Sequence, residues 1–68
     1  MATWQGEVKG IMYSEGITNR EIAHKLELTE SYISKLFTGK VRTAGAEDRI
    51  RAAVAEIIAE RGEQNDEG

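Results

Sequence analysis

The chain lacks several features on which whole classes of function depend. None of its 68 residues is a cysteine, so it can form no disulfide and no thiolate metal site, which suits a reducing cytoplasm. No apolar run approaches the length of a membrane span, and the N-terminus shows no signal-peptide pattern. We therefore expect a cytoplasmic protein that makes no membrane contact.

Groups that could support catalysis are equally scarce. His24 is the one histidine, and its place beside Lys25 on the outer side of a predicted helix indicates an ordinary surface residue. No glycine-rich phosphate loop, no His-Glu-x-x-His motif and no nucleophile–histidine set can be assembled. The sequence thus predicts a protein that is not an enzyme and that uses no metal and no cofactor.

A basic excess, the usual sign of a nucleic-acid-binding protein, is also missing, because nine Lys and Arg residues face 12 Asp and Glu residues. The charges are unevenly distributed, however. Residues 32–51 hold five basic and two acidic groups, whereas residues 52–68 hold one basic and five acidic groups. A nucleic acid would lie against the positive segment, and repulsion from the acidic segments would keep non-specific binding weak.

The N-terminal segment predicts one amphipathic helix, from about residue 2 or 3 to Ser14. Trp4 and Tyr13 are expected at the edge of the core, and Gly16 is expected to end the helix in the left-handed conformation. The apolar stripe of this helix recurs at helical spacing and consists of Trp4, Val8, Ile11 and Met12.

Residues 17–38 carry two helix-entry signals eleven residues apart. Thr18 followed by Glu21 forms a capping box, and Thr29 repeats the capping threonine, so helices are predicted over residues 18–25 and 29–37. Gly39 suits the left-handed cap after the second of them. The arrangement predicts a helix-turn-helix. The apolar positions that pack it are Ile22, Ala23, Leu26, Leu28, Ile33, Leu36 and Phe37.

The second of these helices has a continuous outward strip of polar residues. At 3.6 residues per turn, the strip consists of Glu30, Ser31, Ser34, Lys35 and Thr38. A helix that only supports a core more often carries long Glu and Lys side chains throughout this face. Short hydroxyl groups beside one lysine allow close approach to base edges and phosphates.

The motif residues are the run from Gly16 to Ala23, followed by Leu26, Leu28, Thr29, Ser31, Ile33, Ser34, Leu36, Gly39 and Lys40. Together they resemble the Cro/cI-type (XRE) helix-turn-helix family. The match covers about half of the chain. The resemblance implies a compact, all-α, four-helix domain of the lambda-repressor-like kind, with the second motif helix in the major groove. Two residues depart from the family pattern: Glu27 replaces the usual glycine of the turn, at a position expected to be left-handed, and Asn19 replaces the usual glutamine.

A last helix is predicted from Gly45 to Arg61 on the stripe Ile50, Ala53, Val54, Ile57 and Ile58. Its last two members extend beyond what so small a domain needs, so Ile57 and Ile58 are candidates for a dimer contact, with core packing as the alternative. Gly62 is expected to stop the helix. The domain would then comprise residues 1–62, followed by a disordered acidic tail at 63–68.

These features predict a sequence-specific double-stranded DNA-binding regulator of transcription. The expected form is a nucleoid-associated repressor that acts as a homodimer on a near-palindromic operator, without a small-molecule effector. Base reading is assigned to Glu30, Ser31, Ser34 and Lys35. Contacts to the DNA backbone are assigned to Thr18, Asn19, Arg20, Thr29, Tyr32, Thr38, Lys40 and Arg42.

Two other classes of function remain open. One is a protein-interaction module, such as an antitoxin or a phage factor, that binds a basic partner through the acidic C-terminal helix. The other is an architectural or recombination-directionality protein that bends DNA and binds several adjacent sites.

Overall fold

The computed structural model describes residues 3–65, and the side chains of residues 3–62, as four helices joined by short turns. They are α1 (Trp4–Glu15), α2 (Asn19–Leu26), α3 (Glu30–Thr38) and α4 (Ala46–Asn65). Within that described range there is no strand. The predicted all-α, four-helix class is therefore confirmed, and α2 and α3 are joined by a three-residue turn at positions 27–29.

A threonine caps the start of each of the first three helices. The side chains of Thr3, Thr18 and Thr29 each accept a hydrogen bond, at 3.1–3.2 Å, from the backbone N–H three residues further along. At α2 the cap is reciprocal, because the Thr18 N–H donates to the Glu21 carboxylate at 2.9 Å. The predicted capping box is confirmed, and local side chains alone explain where these helices begin.

The same three helices also share one kind of C-terminal end. Each is followed by a residue in the left-handed conformation, and the next backbone N–H donates back to the helix. These N–H to carbonyl bonds are Ile17 to Met12 at 2.8 Å, Leu28 to Ala23 at 2.8 Å and Lys40 to Lys35 at 3.0 Å. The left-handed residues are Gly16 (φ 70°), Glu27 (φ 60°) and Gly39 (φ 83°), so Glu27 adopts the conformation expected of it.

All four helices contribute to one core. Helices α1 and α2 each pack against both α3 and α4. The predicted stripes of α2, α3 and α4 face this core, with Ile22, Ile33 and Ile50 at most 1% exposed. Its buried members are Val8, Met12, Ile17, Ile22, Ala23, Ile33, Leu36, Ala46, Ile50, Ala53, Val54 and Ile57.

Two predictions for α1 were wrong. Tyr13 was expected at the edge of the core but is 91% exposed, because it lies one residue, or about 100° of helix, beyond the buried Met12. Ile11 lies one residue to the other side of Met12 and is 41% exposed, although it belongs to the predicted apolar stripe. The buried part of α1 is therefore narrower than its apolar pattern, with Val8 and Met12 at its centre.

The prediction that Gly62 stops α4 was also wrong, because the helix continues to Asn65. Gly62 is not among the residues with positive φ, so it does not adopt the conformation of a glycine cap. One glycine costs a helix about 1 kcal/mol relative to alanine, which is not enough to end it. Residues 63–65 of the expected disordered tail are helical, and residues 66–68 of that tail lie outside the described range.

Ion pairs on two sides attach α4 to the rest of the domain. Arg51 donates to Glu47 at 2.8 Å within α4 and to Glu7 of α1 at 3.0 Å, and these two hydrogen bonds raise the pKa of its guanidinium. On the α2 side, Lys25 pairs with Glu60 and lies 3.7 Å from Glu56. The Glu60 hydrogen bond is the main reason that the pKa of Lys25 is raised.

Arg61 joins α4 to the corner between α1 and α2. Its guanidinium donates to the backbone carbonyls of Glu15 and Gly16 and, at 2.7 Å, to the Glu21 carboxylate. One side chain thus satisfies carbonyl groups at the end of α1 and contacts the capping box of α2. No helix within residues 3–65 is long and apolar enough to cross a membrane.

Candidate nucleic-acid interface

The outward side of α3 carries the residues expected to read DNA bases. Glu30, Ser31, Ser34, Lys35 and Thr38 are all exposed, and we call them the polar face of α3. On the opposite side of the same helix, Ile33 and Leu36 are 0% and 3% exposed. Packing of that buried side fixes α3, so the polar face presents one cation, one carboxylate and three hydroxyl groups on a rigid support.

The first residues of α2 lie next to the start of α3. Arg20 Nε is 3.8 Å from the Glu30 carboxylate, and both side chains are largely exposed, at 85% and 61%. The exposure makes this a weak, adjustable pair rather than a structural bond. It nevertheless shows that the predicted backbone contact Arg20 and the predicted base contact Glu30 are neighbours in space.

The three threonines assigned to the DNA backbone are exposed, but their hydroxyl groups already have roles in the helix ends. Thr18 and Thr29 each accept a hydrogen bond from a backbone N–H group, and Thr29 retains a hydroxyl hydrogen that can be donated to a phosphate. The Thr18 hydroxyl also donates to the Glu21 carboxylate, at 3.5 Å, so it must give up this bond before it can donate to a phosphate. Thr38 instead donates to the carbonyl of Lys35 at 3.2 Å. Thr38 must therefore give up this bond before it can donate to a phosphate.

Tyr32 connects α3 to the loop that follows it. Its ring is half-buried, and its hydroxyl lies 2.6 Å from the hydroxyl of Thr43. This contact holds the loop of residues 39–45 against α3 at one end. At the other end, the backbone N–H groups of Lys40 and Val41 donate to the Lys35 carbonyl at 3.0 and 3.3 Å. The sequence did not predict a contact between Thr43 and Tyr32.

The loop presents its two cations beside the polar face of α3. Lys40 and Arg42 are both exposed, as their assignment to the DNA backbone requires. Because the loop is attached to α3 at both ends, these cations extend from a backbone that is held against the helix carrying Ser34 and Lys35. The predicted backbone contacts of the loop are therefore joined to the helix that carries the predicted base contacts.

Lys9 of α1 was not predicted and lies at this surface. Its ammonium group donates to the side-chain oxygen of Asn19 at 3.0 Å and lies 4.9 Å from the centroid of the Phe37 ring. The Phe37 ring in turn packs 6.0 Å, centroid to centroid, from Trp4. No local pattern indicates a contact between residues ten positions apart in different helices, so only the fold could reveal it.

Glu21, in the capping box of α2, has a lowered pKa. The hydrogen bond from the Thr18 backbone N–H lowers the pKa of this carboxyl, and the hydrogen bond and charge of Arg61 lower it further against the opposing effect of burial. Glu21 therefore stays ionised, and its charge is compensated by Arg61 instead of repelling a phosphate near the start of α2.

The two dimer candidates lie in different environments. Ile57 is 7% exposed and belongs to the core, so its position does not support a role at a dimer contact. Ile58 is half-buried and lines a small groove between α1 and α4, together with the exposed Ile11 and Ala55. Ile58 can therefore contact a second molecule, whereas Ile57 supports the fold.

Within residues 3–62, no group of three or more His, Cys, Asp or Glu side chains comes together to hold a metal ion. Comparisons of the chain with protein-family models, with curated proteins and with solved structures gave no match. The Cro/cI-type resemblance consequently rests on the residues of this chain, and function must be argued from its geometry.

Proposed function

We propose that this protein is a sequence-specific double-stranded DNA-binding regulator of transcription of the Cro/cI-type (XRE) helix-turn-helix family. The observation that carries the proposal is the polar face of α3, which is exposed on a helix-turn-helix and bordered by loop cations that are attached to the same helix. A major groove about 12 Å wide admits an α-helix, and donors and acceptors along its edges identify each base pair.

In this mechanism the polar face of α3 reads the sequence. The Lys35 ammonium group donates to O6 and N7 of guanine, and the Glu30 carboxylate accepts from N4 of cytosine. Ser31 and Ser34 donate or accept over a short reach, so they bring the helix close to the bases. Arg20, 3.8 Å from Glu30, forms a weak pair that leaves the Glu30 carboxylate able to move towards a base.

The surrounding residues hold the phosphates and set the docking angle, which carries no sequence information. Arg20, Lys40 and Arg42 supply charge, and Asn19 supplies amide donors. Thr29 supplies a hydroxyl hydrogen, and Thr18 supplies one when it gives up its 3.5 Å hydrogen bond to Glu21. Tyr32 contributes mainly by holding the loop through Thr43, which is a different role from the DNA-backbone contact assigned to it from the sequence.

The protein would act as a homodimer, because a single domain of this size contacts too few base pairs to select one site in a genome. Two copies on a near-palindromic operator would place their α3 helices about one helical turn of DNA apart. Occupying an operator fits a repressor. Nucleoid association would follow from the DNA binding.

The pairing of the acidic groups on α4 favours DNA binding over the protein-interaction alternative. Glu56 and Glu60 pair with Lys25, and Glu47 pairs with Arg51. A basic partner protein would have to compete with these intramolecular cations for the same carboxylates. Two of the acidic residues of α4, Glu56 and Glu60, are thus used to attach this helix to α2.

The experiment that tests this function is selection of duplexes from a random pool with the purified protein. Enrichment of a palindromic motif with spaced half-sites is the expected result, and it would also supply the operator. Enrichment of an unspaced single site would support sequence-specific binding but contradict binding as a homodimer. If nothing is enriched above background, specific DNA binding is wrong, and partners of α4 become the next question.

A further inference from the structure

We propose that Lys9 and Asn19 together bind one phosphate of the DNA backbone, in the groove between α1 and the start of α2. This inference rests on the proposed DNA-binding function and extends the interface beyond the helix-turn-helix to α1. Lys9 was not predicted to contact DNA, but the contacts of its ammonium group and the open space beside it suit a phosphate.

The first observation is that the Lys9 ammonium group is held in place by two other helices. It donates to Asn19 Oδ1 of α2 at 3.0 Å and lies 4.9 Å from the centroid of the Phe37 ring of α3. Lysine side chains have many rotamers, and a lysine that is positioned before binding loses less conformational freedom when the ligand arrives. Lys9 thus differs from a lysine that is merely solvated.

The second observation concerns the direction of the hydrogen bond. Lys9 uses one of its three ammonium hydrogens on Asn19, and two remain for another acceptor. Because the amide oxygen of Asn19 faces Lys9, its amide nitrogen points to a different side and offers two further donors. The pair therefore presents only donors around the site, which suits a phosphate, since a phosphate oxygen accepts and cannot donate.

The third observation is the open groove that this pair borders. It has a volume of about 500 Å³, and its lining includes Lys9, Gly10, Tyr13, Thr18 and Asn19. A side chain at Gly10 would meet nothing within 4 Å, so this wall is open. Tyr13, 91% exposed, forms an aromatic edge that a sugar can contact. The groove accommodates a phosphate together with its neighbouring sugar.

The groove also continues the proposed interface. Asn19 is followed by Arg20, which lies 3.8 Å from Glu30 on the polar face of α3. Phe37, beneath the Lys9 ammonium group, belongs to α3 as well. A DNA backbone that leaves the major groove near the start of α2 would therefore pass the Lys9–Asn19 pair next.

A purely structural role for the pair makes different predictions, and two variants separate the roles. Lys9→Met retains the aliphatic stem but removes the charge and the donors. Asn19→Asp retains an oxygen acceptor for Lys9 and adds a favourable negative charge in the first turn of α2. A structural role predicts that Asn19→Asp is as stable as the wild type and binds DNA equally well. Phosphate binding predicts that it is stable but binds DNA poorly.

The measurement is the affinity of each protein for the selected duplex and for a mixed-sequence duplex over a range of salt concentrations. Lys9→Met should bind both duplexes about tenfold more weakly at low salt. The slope of log K against log salt should fall by about 0.9, the value for one lost phosphate contact. Lys25→Met, which removes the same charge from the α4 side of α2, is the control and should retain the wild-type slope.

Each result bears on a separate claim. If Lys9→Met keeps the wild-type salt slope, or if Asn19→Asp binds DNA as tightly as the wild type, the Lys9–Asn19 site is wrong. The proposed function still stands in that case, provided that the wild-type protein binds the selected duplex. A wild-type protein that binds neither duplex overturns the proposed function and this inference together. Thermal unfolding of each variant shows that it is folded at the assay temperature, and Asn19→Asp provides a decisive variant if Lys9→Met does not fold.

Discussion

Glu27→Gly tests whether the turn between α2 and α3 holds a strained residue. Glu27 has φ 60° and ψ 44°, and it is the one residue with a Cβ among the three left-handed helix ends. For an L-residue this conformation brings Cβ close to the following carbonyl oxygen and costs about 1–2 kcal/mol. Glycine adopts the same conformation without that cost.

Two further effects determine the net gain. Glycine has a more flexible unfolded state, which offsets about 0.4–1 kcal/mol. Removing a carboxylate from the end of α2, where the helix dipole is negative, contributes a few tenths of a kcal/mol in favour of the variant, roughly the low end of the range for exposed charges. We therefore expect Glu27→Gly to raise the free energy of unfolding by about 1 kcal/mol.

Thermal and urea unfolding measure this gain, because about 1 kcal/mol raises the midpoint of a domain of this size by roughly 4–8 °C. Glu27→Ala is the matched control, since it removes the same charge but keeps the Cβ. Its stability should stay within about 0.5 kcal/mol of the wild type. Equal gains for the two variants would mean that the carboxylate, and not the backbone conformation, destabilises the turn.

Two other predictions concern stability. Gly10→Ala should stabilise α1 by about 1 kcal/mol, whereas Gly39→Ala should destabilise the domain by about 1 kcal/mol. Both sites have open space for a Cβ, but only Gly39 has a positive φ (83°). Equal shifts of the two variants in urea unfolding would contradict this prediction. Glu21→Gln keeps an acceptor for Thr18 and removes the charge whose pKa is lowered by folding. The ionised Glu21 stabilises the fold above its unfolded pKa, and this stabilisation disappears as the pH falls through the lower folded pKa. Glu21→Gln should therefore be less stable than the wild type near pH 7. The difference should be less than about 1 kcal/mol, because the side chains of Glu21 and Arg61 are each more than one-third exposed. In acid, the stabilities of the variant and the wild type should converge. A difference that stays constant with pH would exclude the carboxylate as its source.

The features that could be predicted from the sequence are those set by residues close together in the chain. Thr18 and Glu21 define the start of α2 by a mutual hydrogen bond over three residues. Gly39 defines the end of α3 by its own backbone conformation. The exposed polar face of α3 follows from helical periodicity once Ile33 and Leu36 are buried.

The features that could not be predicted depend on how the helices meet. Arg61 and Glu21 are 40 residues apart, and neither carries a local signal for their contact. The same holds for Lys9 and Asn19. Gly62 carries the usual signal for a helix end, yet α4 continues through it, which shows that a glycine near the end of an amphipathic pattern is a weak predictor when no left-handed turn is formed.

The net charge of −3 is less unfavourable to DNA binding than it seems, because several carboxylates have intramolecular partners. Glu7 and Glu47 contact Arg51, and Glu21 contacts Arg61. These pairs lie where α4 meets α1 and α2. Pairing leaves the net charge unchanged but places these carboxylates beside cations at the contacts of α4, and screening over about 10 Å at moderate salt weakens their repulsion of a duplex bound at α3.

The central claim, that α3 reads DNA sequence while the following loop holds phosphates, is tested most directly by comparing Lys35→Ala with Lys40→Ala. The measurement is the affinity of each variant for the selected duplex and for a scrambled one across salt concentrations. Lys35→Ala should lose about 1–3 kcal/mol on the selected duplex and much less on the scrambled one. Lys40→Ala should weaken both equally and lower the salt slope by about one. If Lys35→Ala weakens both duplexes equally, Lys35 contacts a phosphate and the assignment of base reading to α3 is contradicted.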